Sequence, residues 1–275
     1  MDWLSSDLTT QLLVGLALGA LIAALAWRAG ALDRSGALAA ALTGGLIFGL
    51  GGLPWAALLL VFFISSSLLS RAFARRKAAV NEKYAKGSRR DWGQVLANGG
   101  LGTLLVLATL AYPEQSWAFI AYAGAMAAVN ADTWATEVGA FSAPSPRLIT
   151  TGKPVEAGTS GGVTALGYLA ALCGAALIAV IAAIFTPDSS WLLLAAAVTL
   201  AGLAGSTFDS ALGATVQGIY YCPTCQKETE RHPRHSCGTP TAQVRGWRWL
   251  NNDMVNFACS SMGALVALLV WLIAL

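Results

Sequence analysis

Charge is scarce in this sequence. Asp, Glu, Lys and Arg make up only 11% of its 275 residues, whereas 56% are hydrophobic. A soluble domain of this size carries about twice that share of charge, so a water-soluble globular chain is excluded. Lys and Arg are absent from Met1 to Trp27 and from the connectors Pro113–Ser116 and Pro187–Ser190. No small-residue cleavage site follows the first apolar run, which is therefore expected to be a retained span rather than a signal peptide. The basic segments come without any recognisable nucleic-acid module, so nucleic acid is not an expected partner. The apolar runs hold no Ser-His-Asp or Cys-His constellation, which leaves acyl chemistry without a candidate.

Long apolar runs are abundant. Stretches of roughly 17–25 residues suffice to cross a bilayer as helices, and eight recur: Leu8–Ala26, Ala37–Leu53, Pro54–Ser70, Val95–Tyr112, Trp117–Gly139, Val163–Phe185, Trp191–Gly213 and Leu250–Leu275. The expected class is all-α, a polytopic membrane helix bundle formed by residues 1–275 as a single integral-membrane domain, its second and third spans making a tight hairpin at Pro54. All seventeen Lys and Arg fall in Arg28–Gly36, Arg71–Asp91, Arg147–Lys153 and Lys227–Arg248. Eight alternating spans put these four segments on one side, which the positive-inside rule makes cytoplasmic, with both termini outside. In a prokaryote that membrane is the inner one. The most basic stretch, Arg71–Arg90, suits an anchor touching anionic membrane lipids or a collar drawing in a phosphorylated substrate.

The few acidic residues inside the spans gather toward that same side. Asp132 and Glu137 lie near the end of the fifth span, Asp209 near the end of the seventh, and Asn252 and Asp253 at the start of the eighth. Gln94 and Asn98 open the fourth. Intramembrane ionisable groups face a bundle interior or a wet cavity and mark function by default. Asp132 and Thr136 share a helical face, as do Thr133 and Glu137, and as do Asn252 and Asn256. Ser206, Asp209 and Gly213 line another stripe. Helix-to-helix hydrogen bonding is the plain alternative, and Asn98 and Asn256 are open to either use. Three Asp residues repel one another unless a cation sits among them, and magnesium is the natural guest.

The stretch TGKPVEAGTSGG, Thr151 to Gly162, leads into the sixth span. Gly, Thr and Ser at a helix start leave backbone N–H groups for an anion, with Lys153 as a nearby cation. The pattern is not a P-loop, whose Lys directly precedes the Ser/Thr. Carboxylates for magnesium, a Lys and an anion cradle are the parts of phosphoryl transfer, which works by positioning and charge neutralisation.

The ordered motifs NADTWATEVG, TGKPVEAGTSGG, GSTFDSALGATVQ and LNNDMVN resemble the integral-membrane family that contains plant phytyl-phosphate kinase and the vertebrate transmembrane-protein-nineteen group, over about Ala31 to Ala267. The pair DTxAxxxG and KPxxxGTSGG is also similar to CTP-dependent polyprenol and dolichol kinases. The resemblance implies a kinase that converts an isoprenoid monophosphate lipid to the diphosphate with CTP or another nucleotide and magnesium. It implies Asp132 as main magnesium ligand, with Glu137, Asp209 or Asp253 completing the metal and base roles. Lys153, Gly158, Thr159, Ser160, Gly161 and Gly162 would then hold donor phosphates, and Asn98, Asn130, Thr133, Thr136, Gly139, Asn252 and Asn256 would line the nucleotide site. A cytidylyltransferase-like enzyme making a CDP-lipid uses similar parts. An ion-coupled transporter is the rival from another class, and predicts carboxylates at mid-membrane and related halves.

The loop 215–249 holds YCPTCQKETERHPRHSCGTP. Cys222 and Cys225 have zinc-knuckle spacing, and His235 and Cys237 complete the expected tetrahedral set, with His232 as another candidate. Structural zinc is the expectation, because a cytoplasmic disulfide is disfavoured and four protein ligands leave no open catalytic position. Cys173 and Cys259 read as small buried hydrophobes, and Trp92, Trp117, Trp191, Trp247 and Trp249 as an interfacial belt.

Overall fold

A computed structural model describes residues 7–73, 86, 89–112, 116–186 and 191–274. Most of the basic stretch Arg71–Arg90 and nearly all of the two connectors without Lys or Arg, Pro113–Ser116 and Pro187–Ser190, lie outside the described residues. Among the described residues there are seven helices: α1 (Leu8–Arg28), α2 (Arg34–Phe73), α3 (Trp92–Ala108), α4 (Trp117–Gly139), α5 (Ala165–Ile184), α6 (Trp191–Thr215) and α7 (Asn252–Ala274). Five of them, α1, α2, α5, α6 and α7, are long and apolar enough to cross a membrane.

The 40-residue α2 is two helical arms. Gly52 breaks it with φ 67° and ψ −158°, and Pro54 follows with no N–H to continue the ladder. The arms fold back on each other: a Cβ on Gly44 would stand 3.8 Å from Leu59. Arg90 touches both ends, exchanging backbone hydrogen bonds with Ala31 and Asp33 while its guanidinium donates to Ser66 and Ser67. The hairpin expected at Pro54 is therefore present, its break two residues earlier.

An all-α description omits five short strands. β1 (Arg147–Leu148) pairs antiparallel with β2 (Gly162–Val163), and β3 (Ile219–Cys222) lies between β4 (Lys227–Thr229) and β5 (Ala242–Arg245). They occur where the chain leaves the helices in segments rich in Gly, Pro and polar residues, whose backbone groups still need partners.

Helix α4 is the axis of the bundle and touches α2, α3, α5, α6 and α7. Every residue from 118 to 131 except Phe119 is buried. Small residues make this closeness possible. A Cβ on Gly205 would meet the Cys259 carbonyl at 2.9 Å, and one on Gly202 the Ala127 carbonyl at 3.1 Å. Gly15 and Gly19 of α1 abut Gly45 and Gly49 of α2 in the same way, so this pair of glycines serves packing within the chain. Such contacts replace the hydrophobic effect where the surroundings are as apolar as the side chains. The large apolar residues point outward instead: Leu38 is 71% exposed, Leu192 62% and Leu104 59%, an exterior suited to lipid. Cys259 is buried as expected, whereas Cys173 is exposed on α5 among these outward residues. Trp92, Trp191, Trp247 and Trp249 are all exposed, and Trp247 stacks on Trp249 at 5.5 Å.

Candidate active site

The end of α4 departs from its buried stretch. From Asp132 onward its residues are partly open, and Asp132, Thr133, Thr136 and Glu137 line a cavity of about 730 Å³. Asp132 accepts a 3.4 Å hydrogen bond from Ser206 on α6, and Glu137 one of 2.9 Å from Ser70 at the end of α2. One turn beyond Ser206, Asp209 faces the same space, and the charges of Asp132 and Glu230 bear on it. Its Oδ2 is buried with no hydrogen-bond partner among the described residues.

The starts of α3 and α7 close another side. Asp91 and Gln94 form a reciprocal capping box that fixes where α3 begins, which directs Gln94 and Asn98 to the cavity wall. Asp253 in the first turn of α7 pairs through Oδ2 with Lys86, which also bonds Asp91 at 2.9 Å. The other oxygen of Asp253 is buried and unpartnered among the described residues. Burial would lower the Lys86 pKa, but the hydrogen bonds it donates to Asp253 and Asp91, with their charges, outweigh burial and raise the value above the usual 10.5. Burial draws the Arg90 guanidinium down to about 10, against the opposing charge of Glu137.

The glycine segment forms the third wall. Gly158 and Gly161 take φ of 78° and 81°, the left-handed region open to glycine without strain, and they bracket Thr159 and Ser160. Gly161 packs so tightly on α6 that a Cβ would stand 2.5 Å from the Ala214 nitrogen. The helix start expected at Val163 is displaced to Ala165: Gly162 and Val163 are strand β2, and Thr164 caps α5 by accepting the Gly167 N–H at 2.9 Å. This segment is thus a strand-anchored turn rather than a helix N-terminus.

Most expected site residues line this one cavity: Asp132, Glu137, Asp209, Asp253, Asn98, Thr133, Thr136, Gly139, Gly158 to Gly162, Asn252 and Asn256. Two do not. Lys153 is exposed at the tip of the β1–β2 excursion, where Arg147 donates to the Gly152 carbonyl at 2.8 Å. Asn130 is fully buried, accepting from Ser65 at 3.1 Å and donating to the Gly174 carbonyl at 2.8 Å, so it ties three helices together. The cations that do line the cavity are Lys86, Arg90, Arg231, Arg234 and Arg248. Sequence reasoning missed them individually, since they sit in basic segments that topology alone explains. Glu230 was also missed, yet it accepts 3.0 Å bonds from Ser160 and Gln217.

The residues present fit a divalent cation. Asp132 and Asp209 supply hard oxygen donors, and the orphaned Oδ2 of Asp209 lacks the partner that a buried carboxylate needs. Asp253 is already neutralised in part by Lys86, which leaves its Oδ1 as the available atom.

Beside the cavity, Cys222, Cys225, His235 and Cys237 bring four ligand atoms within 4.8 Å of one another. The thiols of Cys222 and Cys237 are 3.5 Å apart and all the cysteines are free. His232 stacks on Tyr220 instead and lines the cavity. The Thr239 hydroxyl and backbone, hydrogen-bonded to Cys237, draw that thiol down to about 6.

A family model described as integral membrane protein DUF92 matches residues 17–264. Protein PGR of Arabidopsis thaliana is 35% identical, over 90% of this chain and 91% of its own length. An uncharacterized membrane protein of Methanocaldococcus jannaschii is 34% identical over 74% of this chain and 82% of its own. Protein VTE6, chloroplastic, also of Arabidopsis thaliana, is 25% identical over 86% of this chain and 65% of its own. No solved structure matches the chain.

Proposed function

Because this chain belongs to the DUF92 family of integral membrane proteins, we propose that it is a magnesium- and nucleotide-dependent kinase that phosphorylates an isoprenoid monophosphate to the diphosphate. The observation that carries the proposal is the meeting, in one cavity, of Asp132 and Asp209 with the Gly158–Gly162 turn and the guanidinium groups of Arg90 and Arg231. Those are carboxylates for a cation, a backbone cradle for phosphate and cations for the remaining charge. The resemblance to the family of phytyl-phosphate kinase supports the acceptor class, and the likeness to dolichol and polyprenol kinases supports CTP as donor.

Asp132, Asp209 and Asp253 would hold magnesium, which when bound would neutralise donor phosphate charge. The backbone of Gly158 to Gly162 holds the donor phosphates, and Arg90 and Arg231 hold the acceptor. An acceptor phosphate is already anionic at neutral pH, so its oxygen attacks the terminal phosphorus of the donor without a general base. The bond from that phosphorus to the bridging oxygen breaks, and the products are nucleoside diphosphate and lipid diphosphate. Glu137 then acts by position, orienting Arg90 and Ser70 rather than abstracting a proton. Asn98, Asn252 and Asn256 supply hydrogen bonds to the nucleotide.

In this proposal residues 1–275 form one integral-membrane unit of eight spans with both termini outside, and the cavity and the 215–249 loop face the cytoplasm. The isoprenoid tail stays among the helices while its phosphate reaches the rim. The Cys3His cluster takes a structural zinc ion. The test uses purified protein in detergent with magnesium, labelled CTP, ATP, UTP or GTP, and isoprenyl monophosphates. Labelled isoprenyl diphosphate supports the kinase; a CDP-lipid with pyrophosphate released moves the assignment to a cytidylyltransferase; no lipid product from folded protein refutes both and makes ion-coupled transport the next assay.

A further inference from the structure

The Cys/His loop is not an appendage. It closes the cavity through Glu230, Arg231, His232 and Arg234, with Arg248 near its end. Glu230 directly follows β4, whose hairpin partner β3 ends at Cys222, a member of the four-ligand cluster. Register pairs Cys222 with Lys227 and Tyr220 with Thr229, so the position of Cys222 is passed to Glu230 through one short hairpin. The carboxylate of Glu230 then receives Ser160 and Gln217, which clasps the glycine turn to the loop. Arg231 lines the cavity, with its Nε buried and unpartnered among the described residues.

This hairpin has almost no core of its own. Between residues 222 and 241 only Cys222, Thr229 and His235 are buried, and two of these belong to the cluster. Two left-handed residues carry a second, independent signature. Gln226 with φ 51° follows Cys225, and Gly238 with φ 84° follows Cys237. Two ligand-bearing turns thus end in the same left-handed conformation, the second closed by the Gly238 N–H donating to the His235 carbonyl at 2.9 Å. The Nδ1 atom of His235 is also buried without a partner among the described residues. A polar loop built like this gains its folding free energy from the ion it binds.

We infer that zinc bound by Cys222, Cys225, His235 and Cys237 sets one wall of the active-site cavity, holding Glu230 as a positioning residue against Ser160 of the glycine turn. The inference rests on the zinc assignment and is independent of which group the cavity transfers.

The test is made on full-length protein in detergent. Metal analysis is expected to find one zinc per chain, and cobalt exchange to give the thiolate charge-transfer and tetrahedral d–d bands of a Cys3His site. Hydrogen–deuterium exchange is then followed in the segment 156–164, before and after the zinc is stripped with a chelator. Stripping is expected to speed exchange there by roughly tenfold, with residues 118–131 of α4 unchanged as the folding control, and re-added zinc to restore it. Glu230→Ala is expected to speed exchange in the same segment with zinc still bound, and Glu230→Gln, which keeps an acceptor for Ser160, to restore protection. Protein without zinc and without the cobalt bands overturns the metal site. Zinc loss that leaves 156–164 unchanged overturns the wall. A failed kinase assay touches neither result, so the two proposals fail separately.

Discussion

The two parts of α4 show how one helix serves two ends. Residues 118–131 are packed to exclusion with Ala, Gly and a few larger apolar groups, and their only buried polar partners are Tyr122, bonded to the Trp55 carbonyl, and the Asn130 tie. Residues 132–139 open to a cavity and carry Asp132, Thr133, Thr136 and Glu137. Tight packing in the first part fixes the helix, and the fixed helix sets the direction of the second. A carboxylate in the first part would be buried without a partner; in the second it meets Ser206, Ser70 and basic side chains.

If this division is right, substitutions on either side of residue 131 have opposite signatures. Asp132→Asn should reduce lipid phosphorylation on the order of 10³-fold, with thermal stability in detergent unchanged, measured as turnover beside a melting curve. Gly124→Val, where α4 meets Gly263 and Ala267 of α7, should cost about 1–3 kcal/mol of stability by overpacking. A lowered melting temperature, with the remaining folded fraction still active, is the outcome expected. Lys86 gives a smaller, pH-dependent effect. Its folded pKa is raised, so the stabilisation from Asp253 and Asp91 is complete below the usual value of 10.5 and is lost as pH rises through the raised one. Amine acetylation followed by mass spectrometry at pH 9–10 should find it modified more slowly than an unpaired lysine. Lys153→Ala should change turnover by less than about twofold, as an exposed surface residue does; a large loss would return Lys153 to the site.

Much of this was legible because membrane physics makes polar residues expensive. The bounds of α4 were read exactly as found, and those of α1, α5, α6 and α7 within two residues at each end, since apolar length and terminal Trp or polar residues mark them. Asp132, Glu137, Asp209 and Asp253 stood out from an apolar background, and all four line the one cavity. What spacing cannot convey is the path of a connector. Lys153 resembled a phosphate ligand in composition, but it stands exposed on the β1–β2 excursion, outside the cavity lining. Asn130 looked like part of the motif it abuts, yet it lies one position inside the packed stretch and bonds to Ser65 and Gly174. Glu230 and Arg231 were hidden by context, because a charge in a polar loop is unremarkable until a hairpin folds it against the glycine turn.

The most direct test of the central claim is to locate magnesium and nucleotide, by solving the structure of the full chain with magnesium and a non-hydrolysable CTP analogue. The account predicts nucleotide phosphates on Gly158 to Gly162 and a cation between Asp132 and Asp209. Nucleotide bound away from this cavity, or a cavity that stays without nucleotide at saturating concentration, would contradict it.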